Sequence, residues 1–253
     1  MRLSVFVVMI LLCGAVAFGA VDELIAQGDA AYDKHDNQMA LTHYTAAFDQ
    51  DPSSCEAAWK SSRAYADIGD EKTEKAERIT NFVKAEEYAR KAISLCPDND
   101  NAHLYLSVAI GRVALMSGKK KQVQLSQAVK DEAEKAIELN PDNDVAHHVY
   151  ARWHRKVATL SGVSKTFAKI LYGGLPPASL DKAVEHFKKA IEIKPDHINH
   201  YLELGITYEM MKDWQNAANA YTKVIELPAK ENKDPEYKVE ARERLDNVNK
   251  KLK

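Results

Sequence analysis

AIELNPDND, residues 136–144, recurs as AISLCPDND at residues 92–100 and as AIEIKPD at residues 190–196. In each copy an apolar helical pattern runs into a proline, which cannot continue a helix. Weaker copies end at Pro52 and Pro228, and the intervals between successive marker prolines are 45, 44, 54 and 33 residues. A helix stop repeated at such intervals is typical of a solenoid built from helix pairs.

Small residues recur at fixed distances before the marker prolines. In the first unit these positions hold Gly28, Ala40 and Ala47, with Tyr44 between the alanines, and the last unit has Gly205, Tyr208, Ala217 and Tyr221. This pattern resembles the tetratricopeptide repeat. The resemblance implies an all-α solenoid of about five helix pairs, with the central three lengthened, at residues 21–54, 55–99, 100–143, 144–197 and 198–230.

The extra residues of the central units, roughly 70–82, 112–127 and 155–178, have mostly helical composition. They predict longer helices and loops within one repeat domain over residues 20–253. A polar linker then leads to residues 235–252, which read as a capping helix that covers the last repeat through Val239, Leu245, Val248 and Leu252.

The chain begins with a different kind of segment. Met1 and Arg2 precede an uncharged apolar run, and small residues flank a possible cut after Gly19. Residues 1–19 therefore predict a secretory signal peptide, which places the protein in the periplasm or outside the cell. The alternative is an uncleaved membrane anchor at residues 3–21, close to the length that spans a bilayer.

Export leaves Cys55 and Cys96 in an oxidising compartment. In the repeat register, Cys55 begins one helix and Cys96 ends its antiparallel partner, so we expect a disulfide between them. Two buried thiols that act as small apolar residues are the alternative.

A further set of residues lies in the middle of the chain. It comprises Trp59, Arg63-Ala64, Glu87-Tyr88-Ala89, His103, Gly118-Lys119, residues 137–141, His147, Trp153, residues 167–171 and Pro176-Pro177. In this set the chain resembles the regulator of microtubule dynamics family. The resemblance implies a divergent tetratricopeptide interaction module, tied in eukaryotic members to microtubules, mitochondria and membrane contact sites. The secretion-type N-terminus departs from that family.

The histidines suggest a metal site, because His147, His148 and His154 share one predicted helix. However, His103 and His147 are separated by the same 44 residues as Pro97 and Pro141. They are therefore equivalent repeat positions, which favours packing or capping over metal binding.

The repeated Pro-Asp-Asn-Asp likewise favours helix capping over calcium binding. Residues 119–121, three lysines, favour a solvated turn over a phosphate site.

No catalytic motif, metal site or cofactor-binding motif is predicted, so we expect a protein that is not an enzyme and has no cofactor. The formal net charge of −2 gives no general attraction for nucleic acid.

The resemblance to tetratricopeptide proteins implies a concave face lined by the second, fifth, ninth and twelfth or thirteenth positions of each first helix. We expect this groove to be basic at its centre, with apolar walls, and to bind a peptide or protein partner. The arginines would grip anionic groups, or else pair with acids on neighbouring helices. An amphipathic ligand such as a phospholipid is the alternative occupant. The predicted groove residues are Trp59, Arg63, Leu104, Val108, Arg112, His148, Arg152, Arg155, Leu202 and Ile206.

Overall fold

The computed structural model describes residues 19–162, 166, 169, 174 and 177–253. The predicted signal peptide, and the stretch at residues 167–171 with Pro176, lie outside this part of the chain, except for Gly19 and Lys169. The described residues form helices, most of them joined by short loops, and contain no strand.

The helices divide between two compact units, which meet in sequence between Met116 and Ser117. The first unit contains α1 (19–32), α2 (Asn37–Gln50), α3 (Cys55–Glu71), α4 (Lys75–Leu95) and α5 (Asp100–Met116). The second contains α6 (Lys119–Leu139), α7 (Asp144–Ala158), α8 (Leu180–Ile193), α9 (Ile198–Met211), α10 (Trp214–Glu226) and α11 (Asp234–Leu252). The single repeat domain expected from the register stays a prediction.

Four helices end two residues before a marker proline, and one non-helical residue separates each helix from its proline. Asp51, Cys96, Asn140 and Lys194 all have φ between −130° and −144° and ψ between 81° and 94°. A following proline disfavours the helical conformation in this way. Each of these residues still donates its backbone N–H to an alanine carbonyl four residues earlier, so the last turn remains closed.

The asparagines of Pro-Asp-Asn-Asp cap the following helices. The Asn99 and Asn143 side-chain oxygens each accept a hydrogen bond from the backbone N–H three residues later, at 3.0 Å. These bonds satisfy free donors at the starts of α5 and α7. Capping is therefore the structural role of this repeated phrase.

A second repeated contact joins the side chain six residues after a marker proline to that proline's carbonyl. His103 Nε2 lies 2.8 Å from Pro97 O, and His147 Nε2 lies 3.0 Å from Pro141 O. At the third copy, the Tyr201 hydroxyl donates to Pro195 O at 3.0 Å. The two histidines thus fasten the loop between helices, in agreement with their equivalent repeat positions.

Glycines allow the two helices of a repeat to approach each other closely. A Cβ atom added at Gly28 would lie 2.4 Å from the Tyr44 ring, and one at Gly205 would lie 2.5 Å from the Tyr221 ring. Both rings are fully buried. The lengthened second repeat makes the same kind of contact between Gly69 and Phe82.

The predicted capping helix corresponds to α11, which packs on α10 and α9. Its buried apolar residues are Ala241 and Val248, whereas Val239 is 53% exposed and Leu252 is 44% exposed. The expectation that Val239 and Leu252 cover the last repeat was therefore wrong, because the helix turns a narrower apolar face to its neighbours.

Candidate functional site

The predicted groove residues separate by burial. Trp59, Arg63, Val108, Arg112, Arg152 and Ile206 are half-exposed, whereas Leu104, His148, Arg155 and Leu202 are buried. The first four of the half-exposed residues lie in the first unit, and Arg152 and Ile206 lie in the second.

Leu104, His148 and Leu202 occupy the fifth position of their repeats, and there the prediction of a ligand-facing residue was wrong. Leu202 belongs to the apolar core of the second unit, and His148 contacts the neighbouring first helix through His200. The fifth position thus points into the helix stack in three repeats. The ninth position is half-exposed in each: Arg63, Val108, Arg152 and Ile206.

Four of the partly exposed predicted residues lie on α3 and α5 in the first unit. The Trp59 ring stacks on the Tyr105 ring, with centroids 5.7 Å apart and planes only 3° from parallel. Tyr105 was missed by the sequence analysis because the sixth position is not among the expected face positions. Together with Val108, these two half-exposed rings give α3 and α5 an apolar surface.

Arg63 lies beside this aromatic pair and is held by contacts within the first unit. Its guanidinium carbon is 3.6 Å from the centroid of the Tyr32 ring, and Nη2 donates to the Tyr44 hydroxyl at 3.0 Å. Asp29 lies 4.0 Å from the same nitrogen. The arginine is therefore fixed in orientation by cation–π and polar contacts.

Asp67 adds a carboxylate to this network. The Tyr32 hydroxyl donates to it at 3.0 Å. Removal from water raises the pKa of Asp67 to about 6, even though that hydrogen bond and the charge of Arg63 act in the opposite direction. The Asp67 carboxylate is therefore partly protonated under mildly acidic conditions.

Arg112 is also paired with an acid. Its Nη2 lies 2.5 Å from Asp70 Oδ2, and Arg78 approaches Asp70 Oδ1 at 3.4 Å. In the second unit, Arg152 Nε lies 3.4 Å from Glu203 Oε1. These contacts match the expectation that the arginines pair with acids on neighbouring helices.

Arg155 cannot serve as an accessible anion anchor, because its side chain is only 5% exposed. It pairs with the Glu203 carboxylate and donates to the Glu203 carbonyl at 2.8 Å. Burial alone would raise the pKa of Glu203, but the charges of Arg152 and Arg155 hold it below its usual value. Arg155 therefore stabilises the packing of α7 on α9.

The structure places Cys55 and Cys96 as a disulfide pair that links the start of α3 to the residue after α4. Their Cα atoms are 6.1 Å apart, within the range that a disulfide requires.

The structure also bears on the predicted lysine turn, on metal binding and on membrane spans. The three lysines form the exposed first turn of α6 and not a turn between helices. Within the described part of the chain, no three His, Cys, Asp or Glu side chains are grouped to hold a metal ion. No described helix is long and apolar enough to cross a membrane.

Comparison with solved structures agrees with the repeat architecture. A thermophilic TPR protein of Thermus thermophilus aligns with 90% of this chain and 98% of its own, with a TM-score of 0.64 and 17% sequence identity. The fold is thus that of a tetratricopeptide-like helical-repeat protein, in the all-α solenoid class.

Residues 24–249 match the family described as Regulator of microtubule dynamics protein 1-3, and the chain belongs to this family. Regulator of microtubule dynamics protein 1 of Mus musculus is 28% identical over 234 residues, covering 90% of this chain and 75% of that protein. Regulator of microtubule dynamics protein 2 of Homo sapiens is 26% identical over 182 residues, 72% of this chain and 44% of that protein.

Proposed function

We propose that this chain is a non-catalytic interaction scaffold that binds an extended peptide or protein segment on the α3–α5 face. We define that face by Trp59, Arg63, Tyr105, Val108 and Arg112. The stacked pair Trp59–Tyr105 is the observation that carries the proposal, since Trp and Tyr are enriched among the residues that dominate the binding energy of protein interfaces.

The polar contacts around the α3–α5 face favour a binding surface that is ordered before the partner arrives. Tyr32 and Tyr44 hold Arg63, and Asp70 holds Arg112. Because these side chains are already positioned, less rotamer freedom is lost on binding. Their carboxylate partners reduce the net positive charge, so we place the main contribution on aromatic and apolar contact.

The second unit contributes Arg152 and Ile206 at the equivalent ninth positions. We propose these as secondary contacts, because Glu203 already engages Arg152 and Ile206 packs partly against the core.

The less favoured alternative is that the chain carries a phospholipid. The phospholipid would occupy the same groove, with its head group on Arg63 and Arg112. Both arginines already contact carboxylates, which disfavours an anionic head group there.

The apolar segment at residues 1–19 bears on the compartment in which the protein would bind its partner. We propose export, with a membrane-anchored N-terminus as the alternative. The microtubule role in the relatives' names would then apply to this chain only if the protein meets that partner in its own compartment.

The proposal is tested by affinity capture from the native source, followed by quantitative mass spectrometry. Val108→Asp places a charge in the middle of the α3–α5 face, and we expect it to lower recovery of the main captured proteins at least about ten-fold, the loss of roughly 1.4 kcal/mol. Val83→Asp is the matched control, because Val83 is 49% exposed on α4 and lies outside the face.

Equal recovery by the two aspartate variants, both with wild-type helical content, would overturn the binding face. Native mass spectrometry of the purified chain separates the two occupants. A co-purifying phospholipid that is lost in Val108→Asp would favour the carrier, whereas an empty chain supports the scaffold.

A further inference from the structure

Histidine side chains join three helices of the second unit. His147 Nδ1 on α7 lies 2.9 Å from His186 Nδ1 on α8, and His148 Nδ1 on α7 lies 2.9 Å from His200 Nδ1 on α9. One helix is thus bonded to two neighbours through imidazole–imidazole hydrogen bonds.

The outer contacts of these rings fix where the protons lie in the neutral pairs. His147 Nε2 faces the Pro141 carbonyl, which only accepts, so His147 carries its proton there and its Nδ1 accepts from His186. His200 Nε2 lies 3.0 Å from the Asp144 carboxylate and donates to it. His200 Nδ1 therefore accepts from His148. Each pair has a single proton between its two rings.

Acid changes these pairs in a defined way. A first added proton can occupy the outer nitrogen of the donor ring and leave the hydrogen bond intact. A second proton occupies the Nδ1 that accepted the hydrogen bond, so that two N–H groups face each other. The two rings are then both charged, although their centroids are only 5.2 Å apart in the His147 pair and 5.0 Å apart in the His148 pair. In either pair, the hydrogen bond between the two helices then breaks.

Two more histidines lie against the pairs. His154 is buried, and neither of its ring nitrogens has a hydrogen-bond partner among the described residues. His197 Nδ1 is likewise buried and without a described partner, and its ring centroid is 4.3 Å from that of His200. In the described part of the chain, no acid is hydrogen-bonded to either ring to stabilise its protonated form.

The charged groups that face these rings offer little compensation. Seven permanent cations and six acids face the rings, and among the described hydrogen bonds only that of Asp144 to His200 joins an acid to a ring, so most of the added positive charge is not neutralised. The groups are Lys130 and Glu134 on α6; Asp142, Asp144, Arg152 and Arg155 before and on α7; Lys182, Glu185, Lys188, Lys189 and Glu192 on α8; and Lys194 and Asp234.

We propose that these six histidines make the junction of α7, α8 and α9 an acid-sensitive joint, which loosens at mildly acidic pH while α3 and α4 stay closed. The joint would act as a pH-dependent switch on the second unit, independent of any bound partner.

The direction of the pH dependence follows from burial. Loss of water around the rings lowers the pKa of His186 and of His197 to about 4, from 6.5 in the exposed state. The opened state therefore binds more protons than the closed state below pH 6.5. Stability contributed by these groups is full above that value and is lost progressively as the pH falls towards about 4.

Hydrogen–deuterium exchange of the full chain, corrected for intrinsic exchange rates, tests the joint. For each of His186 and His197, this pKa difference weakens amide protection about twenty-fold at about pH 5 relative to about pH 7. We expect peptides from α7, α8 and α9 to lose at least that much protection relative to peptides from α3 and α4. Equal loss in both sets of helices would overturn the proposal.

Substitution separates histidine titration from a general acid effect. His186→Asn keeps an N–H donor for His147 but does not titrate, and His197→Asn supplies a preferred cap at the start of α9. At about pH 5, amide protection in α7, α8 and α9 of the double variant should be at least about ten-fold higher than in the wild type. His35→Asn with His43→Asn, in the first repeat, is the control and should behave as the wild type. A double variant with the full wild-type loss would contradict the joint.

The single variant His197→Asn covers the case in which the double variant is unfolded at neutral pH. It should recover part of the protection in α9, and an unchanged loss there would again contradict the proposal.

Discussion

At the scale of single residues, close contact between a glycine and an aromatic ring sets the distance between the two helices of a repeat. The Gly205–Tyr221 contact leaves no space for a methyl group, and Tyr221 is fully buried in the core of the second unit. The tyrosine also donates to Glu209, which restricts its movement further.

We expect Gly205→Ala to lower the free energy of unfolding by about 1–2 kcal/mol, because overpacking outweighs the better helix propensity of alanine. Chemical unfolding followed by circular dichroism measures the change. Gly162→Ala is the control, since beyond its chain neighbours and its own helix backbone no described heavy atom lies within 4 Å of the added Cβ position. Equal stability of the two variants would contradict this account of the contact.

Residues that act locally could be predicted from the sequence. The proline stops, the asparagine caps and the Gly28–Tyr44 and Gly205–Tyr221 positions follow from rules that involve a few neighbouring residues or a fixed repeat spacing. The equivalence of His103 and His147 was predicted for the same reason.

Residues that act through distant partners could not be predicted. Arg155 and Glu203 are 48 residues apart, and Arg112 and Asp70 are 42 apart. Their pairing depends on how neighbouring helices are placed, which the pattern of one helix does not contain. His186 and His200 were missed as partners of His147 and His148 because they lie 39 and 52 residues away.

At the scale of helices, the second and third repeats keep the tetratricopeptide ends and extend the helices between them, whereas the two described helices of the fourth repeat have only 15 and 14 residues. In the second repeat, α3 has 17 residues and α4 has 21. The Gly69–Phe82 contact closes the extended part of this pair, as Gly28–Tyr44 does in the first repeat. The longer helices are therefore stabilised by the same kind of packing.

The Cys55–Cys96 pair closes the other end of the second repeat. We predict that intact-mass measurement of the protein from its native compartment will show a gain of about 2 Da on reduction, as one disulfide gains two hydrogens. Two free thiols in the untreated protein would contradict the bridge.

Replacement of both cysteines by serine should lower the free energy of unfolding by about 2–4 kcal/mol, since the bridge closes a long loop in the unfolded chain. The comparison is made by chemical unfolding with and without reductant. Reductant should destabilise the wild type and leave the Cys55→Ser/Cys96→Ser variant unchanged.

Helix faces were predicted less well than helix positions. The fifth position of the third to fifth repeats points inward, and α11 exposes Val239 and Leu252. In both places the expected face came from a general register, whereas the exposed face depends on how many neighbouring helices pack around each helix.

At the scale of the whole molecule, the chain combines a tetratricopeptide-like fold and membership of the regulator of microtubule dynamics family with two compact units. The first unit contains the aromatic and arginine residues of the α3–α5 face, and the second contains the histidine joint. Each unit thus has its own proposed role, and each role can be tested in the full chain.

Site-specific photocrosslinking tests the central claim, the α3–α5 face as the partner-binding surface, most directly. Benzoylphenylalanine replaces Tyr105 in one variant and Val83, on α4, in the other, and both are irradiated in the native source. We predict covalent capture of a defined partner from position 105 and not from position 83. Capture from position 83 alone, or equal capture from both positions, would contradict the account.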